Sequence, residues 1–368
     1  MTLRTFGFPG RYVQGPGALK EIGATARELG VTSVVVVADP QLTEAIEVVR
    51  LSLAAAELQA RVIHSPAECT EAGAQALVDE AGEFDCVVGF GGGKTIDLSK
   101  AVARSTSAKL VIAPSIASND APTSRLIVLY NDQHKVDRVL LTRRNPDVVL
   151  VDTEVIARAP ARFLAAGMAD ALSKKFEVGQ CAAAGGTNFF GTRPLSTALF
   201  LADQAHRVIL THGRGAMAAA KAKTVSDDLE NVVEAAVLLS GLAFESGGLS
   251  LAHALLRGLT ALPSCAPFLH GELVAYGTLV QMAYEGRTDA EIAEQSDFYE
   301  VLGLPRSLGD ITTGVIGDSE RRLVARLTCE APYIRNLVKP ASEASVLAAM
   351  VAVENRRGAN RQAEADER

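Results

Sequence analysis

Cysteine is scarce and unpaired here: five residues, an odd number, scattered with no CxxC and no paired spacing. That excludes a disulfide framework and points to reduced thiols, as in a cytoplasm. Clusters of lysine and arginine are also missing, and the net charge is −7. Both facts speak against a nucleic acid or an anionic membrane as partner. No apolar run approaches the roughly 18 residues of a membrane-crossing helix. The start, Met1-Thr2-Leu3-Arg4-Thr5-Phe6, lacks the apolar core of a signal peptide. There is no internal repeat. What is present is 368 residues, 48% of them hydrophobic and 21% charged, ordinary for a globular protein and long enough for two domains with large cores.

The stretch that organises the chain is Cys86-Val87-Val88-Gly89-Phe90-Gly91-Gly92-Gly93-Lys94-Thr95-Ile96-Asp97. A short apolar run enters three glycines, and an apolar-periodic segment leaves them, which reads as strand, tight turn and helix start. Glycines let a ligand approach bare backbone, and the helix start offers free N–H groups and a positive dipole end, a natural seat for pyrophosphate. The two better-known phosphate motifs do not fit. A P-loop needs Gly where Val88 stands, and the dinucleotide fingerprint counted from Gly91 needs Gly or Ala where Ile96 stands. A glycine-rich turn without any ligand is the other reading of the same residues.

Up to about residue 160, strand and helix patterns alternate. Ala18–Leu29 has helical periodicity, and Ser33–Ala38 is a nearly continuous β-branched run, the mark of a strand buried on both faces. Helices are expected over 41–58, 71–81 and from the glycine turn to Ser105, and strands over 61–64, 110–113 and 148–152. Leu126–Tyr130 and Val136–Leu141, joined through Asn131-Asp132, read as a β-hairpin. The alternation predicts an α/β, doubly wound parallel sheet with helices on both faces. Beyond Pro160 the β-branched runs stop, and Ala- and Leu-rich stretches over 161–181, 193–221, 226–243, 248–259, 271–286, 289–302, 319–329 and 342–356 predict an all-helical domain. The expected division is therefore 1–160 and 161–368, with the site in the cleft between them, and a charged, frayed tail after Asn355.

Only six histidines occur, and His64, His134, His206 and His212 lie in polar or loop-like sequence. His253 sits where a Gly pair opens an apolar helix, and His270 at a loop-to-helix junction. Asp170, in Ala166-Gly167-Met168-Ala169-Asp170-Ala171-Leu172, shares their apolar flanking. An ionisable group in such surroundings is costly unless it is paired or metal-bound. Asp plus two His with one open position is a catalytic zinc-type donor set, although satisfied core polar groups explain the same pattern. Asp39, just after the Val-rich strand, is placed to bind an adenosine ribose 2′-OH and to repel a 2′-phosphate; a turn residue before Pro40 is its plainer reading.

Several blocks occur here in order: Phe90–Asp97, the loop Pro114-Ser115-Ile116-Ala117-Ser118-Asn119-Asp120-Ala121-Pro122, Gly167–Leu172, Gly241–Gly248 and Leu269-His270-Gly271-Glu272. Together, from about residue 5 to about 355, they resemble the iron-containing, or group III, alcohol dehydrogenases, in their zinc-dependent, glycerol-oxidising branch. The resemblance implies a Rossmann-like NAD domain, a helical metal domain with the dehydroquinate synthase-like fold, and zinc on Asp170, His253 and His270. The iron branch adds a His four residues after the Asp, where this chain has Lys174.

Carried over, the resemblance gives Gly92, Gly93, Lys94 and Asp97 to the nucleotide turn and Ser115 and Ser118 to the loop after it. Ser124, Leu126 and Tyr130 fall to the hairpin on the nicotinamide side, and Asp120 to the substrate hydroxyls. It implies NAD-dependent oxidation of glycerol or a related vicinal diol to the hydroxyketone, the metal stabilising the substrate alkoxide. It also implies a cytoplasmic homo-oligomer, up to an octamer. Three places depart from the pattern: Asn119 for a frequent Thr, the region from Phe189-Phe190, and Arg335 where the glycerol enzymes usually carry His. Arg335 hints at a hydroxy- or keto-acid substrate. A sugar-phosphate cyclase would need Glu in place of Asp170 and a basic cluster, and a non-catalytic nucleotide binder would not need the three ligands.

Overall fold

The computed structural model describes residues 3–131 and 136–366; Asp132 of the expected hairpin turn and His134 lie outside them. The chain divides into two compact units. One comprises Gly7–Leu164 and Gly215–Gly241. The other takes the stretch ending at Phe6, Ala165–Arg214 and Leu242–Arg368. The segment 215–241, grouped by composition with the helical domain, therefore belongs with the sheet unit.

The sheet unit is built on β1 (Arg11–Gly15), β2 (Ser33–Ala38), β3 (Gln59–His64), β4 (Cys86–Gly91), β5 (Lys109–Pro114) and β8 (Val148–Asp152), with a separate antiparallel hairpin of β6 (Leu126–Tyr130) and β7 (Val136–Leu141). The six strands are all parallel, in the order β1-β8-β5-β4-β2-β3. Helices α1 (Ile22–Glu28), α2 (Thr43–Ala55), α3 (Glu71–Ala81) and α4 (Gly93–Thr106) make the crossovers, the hairpin lies between β5 and β8, and α5 (Thr153–Arg158) follows the last strand. Every second residue of the central strands, including Val34, Val36, Val88, Phe90, Val111 and Leu150, faces a core filled by Ile22, Ala26, Val49 and Leu53. Each such buried side chain contributes about 1.5–3 kcal/mol. Gly89 is required by packing, since a Cβ there would come within 2.5 Å of Ser99 Oγ on α4. The strand β1 was not anticipated. It pairs only with β8 at the sheet edge and is mostly half-exposed, so it carries no buried apolar run.

After β2 the chain moves outward to β3, then returns to place β4 on the other side of β2. The reversal between β2 and β4 is the switch point at which open α/β sheets bind ligands beyond the strand C-termini.

The helical unit contains most of α6 (Ala161–Ala183) and α7 (Ser196–Ala222), then α10 (Leu251–Leu259), α11 (His270–Glu285), α12 (Asp289–Leu302), α13 (Asp318–Cys329) and α14 (Glu343–Asp366). α8 (Asp227–Glu234) runs into a five-residue π-helical segment, Ala235–Leu239, before α9 (Ser240–Gly247). α14 continues as helix to Asp366, past the expected end near 355. Among the described residues no single helix is long and apolar enough to cross a membrane.

Candidate functional site

In the sheet unit, Asp39, Gly92, Gly93 and Ser115 stand just beyond the C-terminal ends of β2, β4 and β5. The Asp39 N–H donates to Phe90 O at 3.0 Å and the Ser115 N–H to Gly91 O at 2.9 Å, which ties the three strand ends together. Asp39 Oδ1 accepts from the Gln41 N–H at 3.0 Å, so one carboxylate oxygen shapes the turn. Gly92 caps α4 without any side chain bonded to the helix start, leaving the first N–H groups to an anion. Lys94 reaches Glu68 Oε1 at 2.6 Å and lies 5.5 Å from the centre of the Tyr130 ring.

Other residues assigned to the cofactor are bonded internally. Asp97 Oδ2 accepts from the Val128 N–H at 3.0 Å, and Oδ1 meets Lys100 Nζ at 3.2 Å. Lys100 is fully buried and donates to Ala121 O and Leu126 O, each at 2.7 Å, with Ser124 Oγ at 3.4 Å. Asp97, Ser124 and the Leu126 carbonyl thus share one buried ammonium that ties α4 to the following loop and β6. Burial pushes the Asp97 carboxyl up, against the pull of Lys100. Ser118 is half-buried. Asp120 is buried, and its Oδ2 accepts from Ser240 Oγ at 2.9 Å. The π-helical segment makes that contact fit: Thr123 Oγ1 donates to Val237 O at 3.3 Å, and a Cβ on Gly241 would meet Thr123 Oγ1 at 1.8 Å.

In the helical unit, Asp170, His253 and His270 converge from α6, α10 and α11. One ligand atom from each lies within 4.8 Å of the others. His253 Nε2 is 3.3 Å from Asp170 Oδ1 and 3.3 Å from His270 Nε2, and His270 Nε2 is 3.9 Å from Asp170 Oδ1. A glycine allows the convergence: a Cβ on Gly271 would sit 1.9 Å from Ala166 O, so only glycine lets the start of α11 lie against α6. Gly248, at φ 90°, turns the chain between α9 and α10.

Two further side chains complete the site: Lys174, noted in the sequence only as standing where a fourth ligand would be, and Glu177, which was not singled out. Glu177 is fully buried. Its Oε1 accepts the Ser250 and His253 N–H groups at 2.9 and 3.0 Å, and its Oε2 lies 2.6 Å from His253 Nδ1. It caps α10 and orients the imidazole at once, as a carboxylate behind a metal-binding histidine does. Lys174, also fully buried, forms an ion pair with Asp170 Oδ1 and donates to Asp170 O at 3.0 Å. Asp170, Lys174 and Glu177 stand at i, i+4 and i+7, one face of α6, and that spacing was the available signal.

Burial and opposed charges shift all three ligands. Burial opposes charge on Asp170, yet Lys174 first, then the imidazoles, hold its carboxyl well below the usual range. Burial also opposes charge on His253, but Glu177 raises it to about 9. Desolvation by the surrounding chain lowers His270 to about 4, although its side chain is the exposed one of the three. Asp170 Oδ2 is buried and has no hydrogen-bond partner, which is costly in a protein interior unless a cation takes it. An Asp/His/His set with one orphaned oxygen fits a divalent metal with an open position, as zinc prefers.

A doubly wound sheet with an anion-ready glycine turn, joined to a helical unit with such a triad, defines a dinucleotide- and metal-dependent oxidoreductase. The chain belongs to the iron-containing alcohol dehydrogenase family. Residues 9–153 match the family model for iron-containing alcohol dehydrogenase. The chain is 41% identical over 325 residues to a glycerol dehydrogenase of Pseudomonas putida, covering 87% of this chain and 88% of that one. It is 40% identical over 330 residues to a glycolaldehyde reductase of Halobacterium salinarum, covering 88% and 90%. The crystal structure of glycerol dehydrogenase from Schizosaccharomyces pombe superposes with a TM-score of 0.92 at 30% identity, covering 97% of this chain and 91% of that one.

Proposed function

We propose that the chain oxidises glycerol, or a related vicinal diol, to the hydroxyketone, with NAD as hydride acceptor and one zinc ion per chain. The observation that carries this reading is the convergence of Asp170, His253 and His270, with ligand atoms within 4.8 Å of one another, on a buried carboxylate whose Oδ2 has no hydrogen-bond partner. The relatives' activities, glycerol oxidation and glycolaldehyde reduction, both concern small hydroxylated alcohols and carbonyls, and they support the substrate class.

When bound, zinc supplies a Lewis acid that eases loss of the hydroxyl proton near neutral pH, and NAD supplies the hydride acceptor. The chain's own residues do the rest. Glu177, accepting from His253 Nδ1, fixes the tautomer whose Nε2 lone pair is turned toward Asp170 and His270. The N–H groups at Gly92 and Gly93 hold the pyrophosphate, and the Asp39 carboxylate takes the ribose hydroxyls and repels a 2′-phosphate. Lys94, Tyr130, Ser115 and Ser118 line the cofactor side, and Asp120 grips a second substrate hydroxyl. Asp97, Ser124 and Leu126 serve the cofactor through the frame that Lys100 ties together.

The same reading makes a small polyol the partner and a homo-oligomer, up to an octamer, the assembly. It places the chain in the cytoplasm and engages neither nucleic acid nor membrane, supported by the net charge of −7. The sugar-phosphate cyclase is not favoured, since the first ligand is Asp170. NADH absorbance against a panel of diols, simple alcohols and hydroxy acids, together with elemental analysis, tests it. Vicinal diols should lead the panel, with one zinc per chain and turnover lost to chelator and restored by zinc. Fully active, chelator-resistant protein with far less than one divalent metal per chain would overturn it.

A further inference from the structure

We propose that Lys174 is a resident cation of the metal site: it shares the ligand carboxylate with the metal, holds the site together when no metal is bound, and weakens the metal's grip. This rests on the zinc reading above. The geometry is specific. Lys174 is fully buried, pairs with Asp170 Oδ1, and has Asp170 O at 3.0 Å, Ser173 Oγ at 3.4 Å and the Phe244 ring centre at 5.8 Å. The same carboxylate must serve the metal, and its other oxygen, Oδ2, has no partner. The ammonium holds Oδ1, the oxygen that also lies 3.3 Å from His253 Nε2 and 3.9 Å from His270 Nε2, so ammonium and ion draw on one carboxylate.

Charge counting gives the sign of the effect. Counted with both imidazoles neutral, as ligation requires, Asp170, Glu177 and Lys174 carry one net negative charge, and a divalent ion turns that into one positive charge. With a neutral residue at 174, the same ion would bring the site to zero. Repulsion between two cations on one carboxylate is poorly screened here, because Asp170 and Lys174 are both fully buried. The ammonium therefore disfavours the loaded state and favours the metal-free one, so the two properties should move in opposite directions when it is removed. A merely structural lysine would make both worse together.

The test uses zinc alone, titrated into the full chain in competition with a chromogenic chelator, beside melting of the metal-free protein. Lys174→Met should melt lower without metal yet bind zinc about 10- to 100-fold more tightly, the range over which groups behind a ligand act. Lys174→Gln keeps N–H donors for Asp170 without the charge, so it protects the fold and should also bind more tightly; it decides the matter if Lys174→Met fails to fold. Zinc binding equal to or weaker than wild type in Lys174→Gln overturns the role given to Lys174 and leaves the metal site standing. Wild type that takes up no more zinc than His270→Ala overturns the metal site itself.

Discussion

Replacing Glu177 by Gln should weaken metal binding without removing the fold, because an amide cannot repeat what the carboxylate does. One oxygen accepts the Ser250 and His253 N–H groups at 2.9 and 3.0 Å, while the other faces His253 Nδ1 at 2.6 Å. An amide can satisfy one set only. With its oxygen toward α10, its NH₂ faces Nδ1, which must then accept; the imidazole proton moves to Nε2, the atom that lies 3.3 Å from both Asp170 Oδ1 and His270 Nε2. That tautomer has no lone pair for a metal. With the amide reversed, two buried backbone donors lose their acceptor at about 1–3 kcal/mol each, so the first orientation is preferred. The expected loss in zinc affinity is about 10- to 100-fold, or about 1.4–2.7 kcal/mol. Loss of a charge-assisted bond should lower stability by about 1.5–3 kcal/mol. Zinc competition with a chelator measures the first and urea unfolding of the metal-free protein the second. Wild-type zinc affinity and turnover in Glu177→Gln would refute the argument that this carboxylate sets the tautomer.

Asp39→Gly should relax the preference for NAD over NADP, read as the ratio of kcat/KM for the two cofactors; equal use of both by the wild type would remove the role given to Asp39. Asp120→Ala should cost far more turnover on vicinal diols than on simple secondary alcohols, and equal losses would make Asp120 structural, as in its bond to Ser240. His206 is buried edge-on to Phe176 with neither ring nitrogen hydrogen-bonded, and burial, then the Lys175 ammonium, lowers it to about 4. Its unfolded value is about 6.5, so the unfolded chain binds more protons between those values, and stability contributed by His206 is lost as pH falls through that window. Between pH 7 and pH 5 the loss is about 2 kcal/mol; His206→Phe should flatten that dependence in urea unfolding, and an unchanged slope would show that the proton goes elsewhere.

What could be read from the sequence follows from which residues interact locally. The strands at Ser33–Ala38 and Cys86–Gly91 were legible because both faces are buried and every residue is apolar or small. β1 was not, since Arg11 to Gly15 fill a half-exposed edge whose only partner, β8, lies far along the chain. The membership of 215–241 was also hidden. An amphipathic helix announces that it has a buried face, not which neighbour covers it, and here Gln14 and Thr153 of the sheet unit meet Glu230 at 2.7 and 2.5 Å.

The site shows the same limit at the scale of single charges. Asp170, His253 and His270 stood out because isolated ionisable groups among Ala, Leu and Met are costly without a partner. Lys174 showed only as the absence of a fourth ligand, and Glu177 not at all, because Ser173-Lys174-Lys175-Phe176-Glu177 has the composition of a solvated helix face. Period separates them where composition cannot. Asp170, Lys174 and Glu177 recur at the helical spacing of one face and are all fully buried, whereas Lys175, one step round, is exposed and pairs with Asp203 at 3.5 Å. Asp97 and Lys100, three residues apart on α4, repeat the pattern in the sheet unit: a buried lysine whose hydrogen bonds go to acceptors that sequence alone leaves unassigned. In both units a buried ammonium three or four residues from a carboxylate fixes where that carboxylate points. On α4 the carboxylate also accepts a backbone N–H; on α6 it keeps one oxygen that no donor reaches, and that difference is what separates a structural pair from a site for a cation.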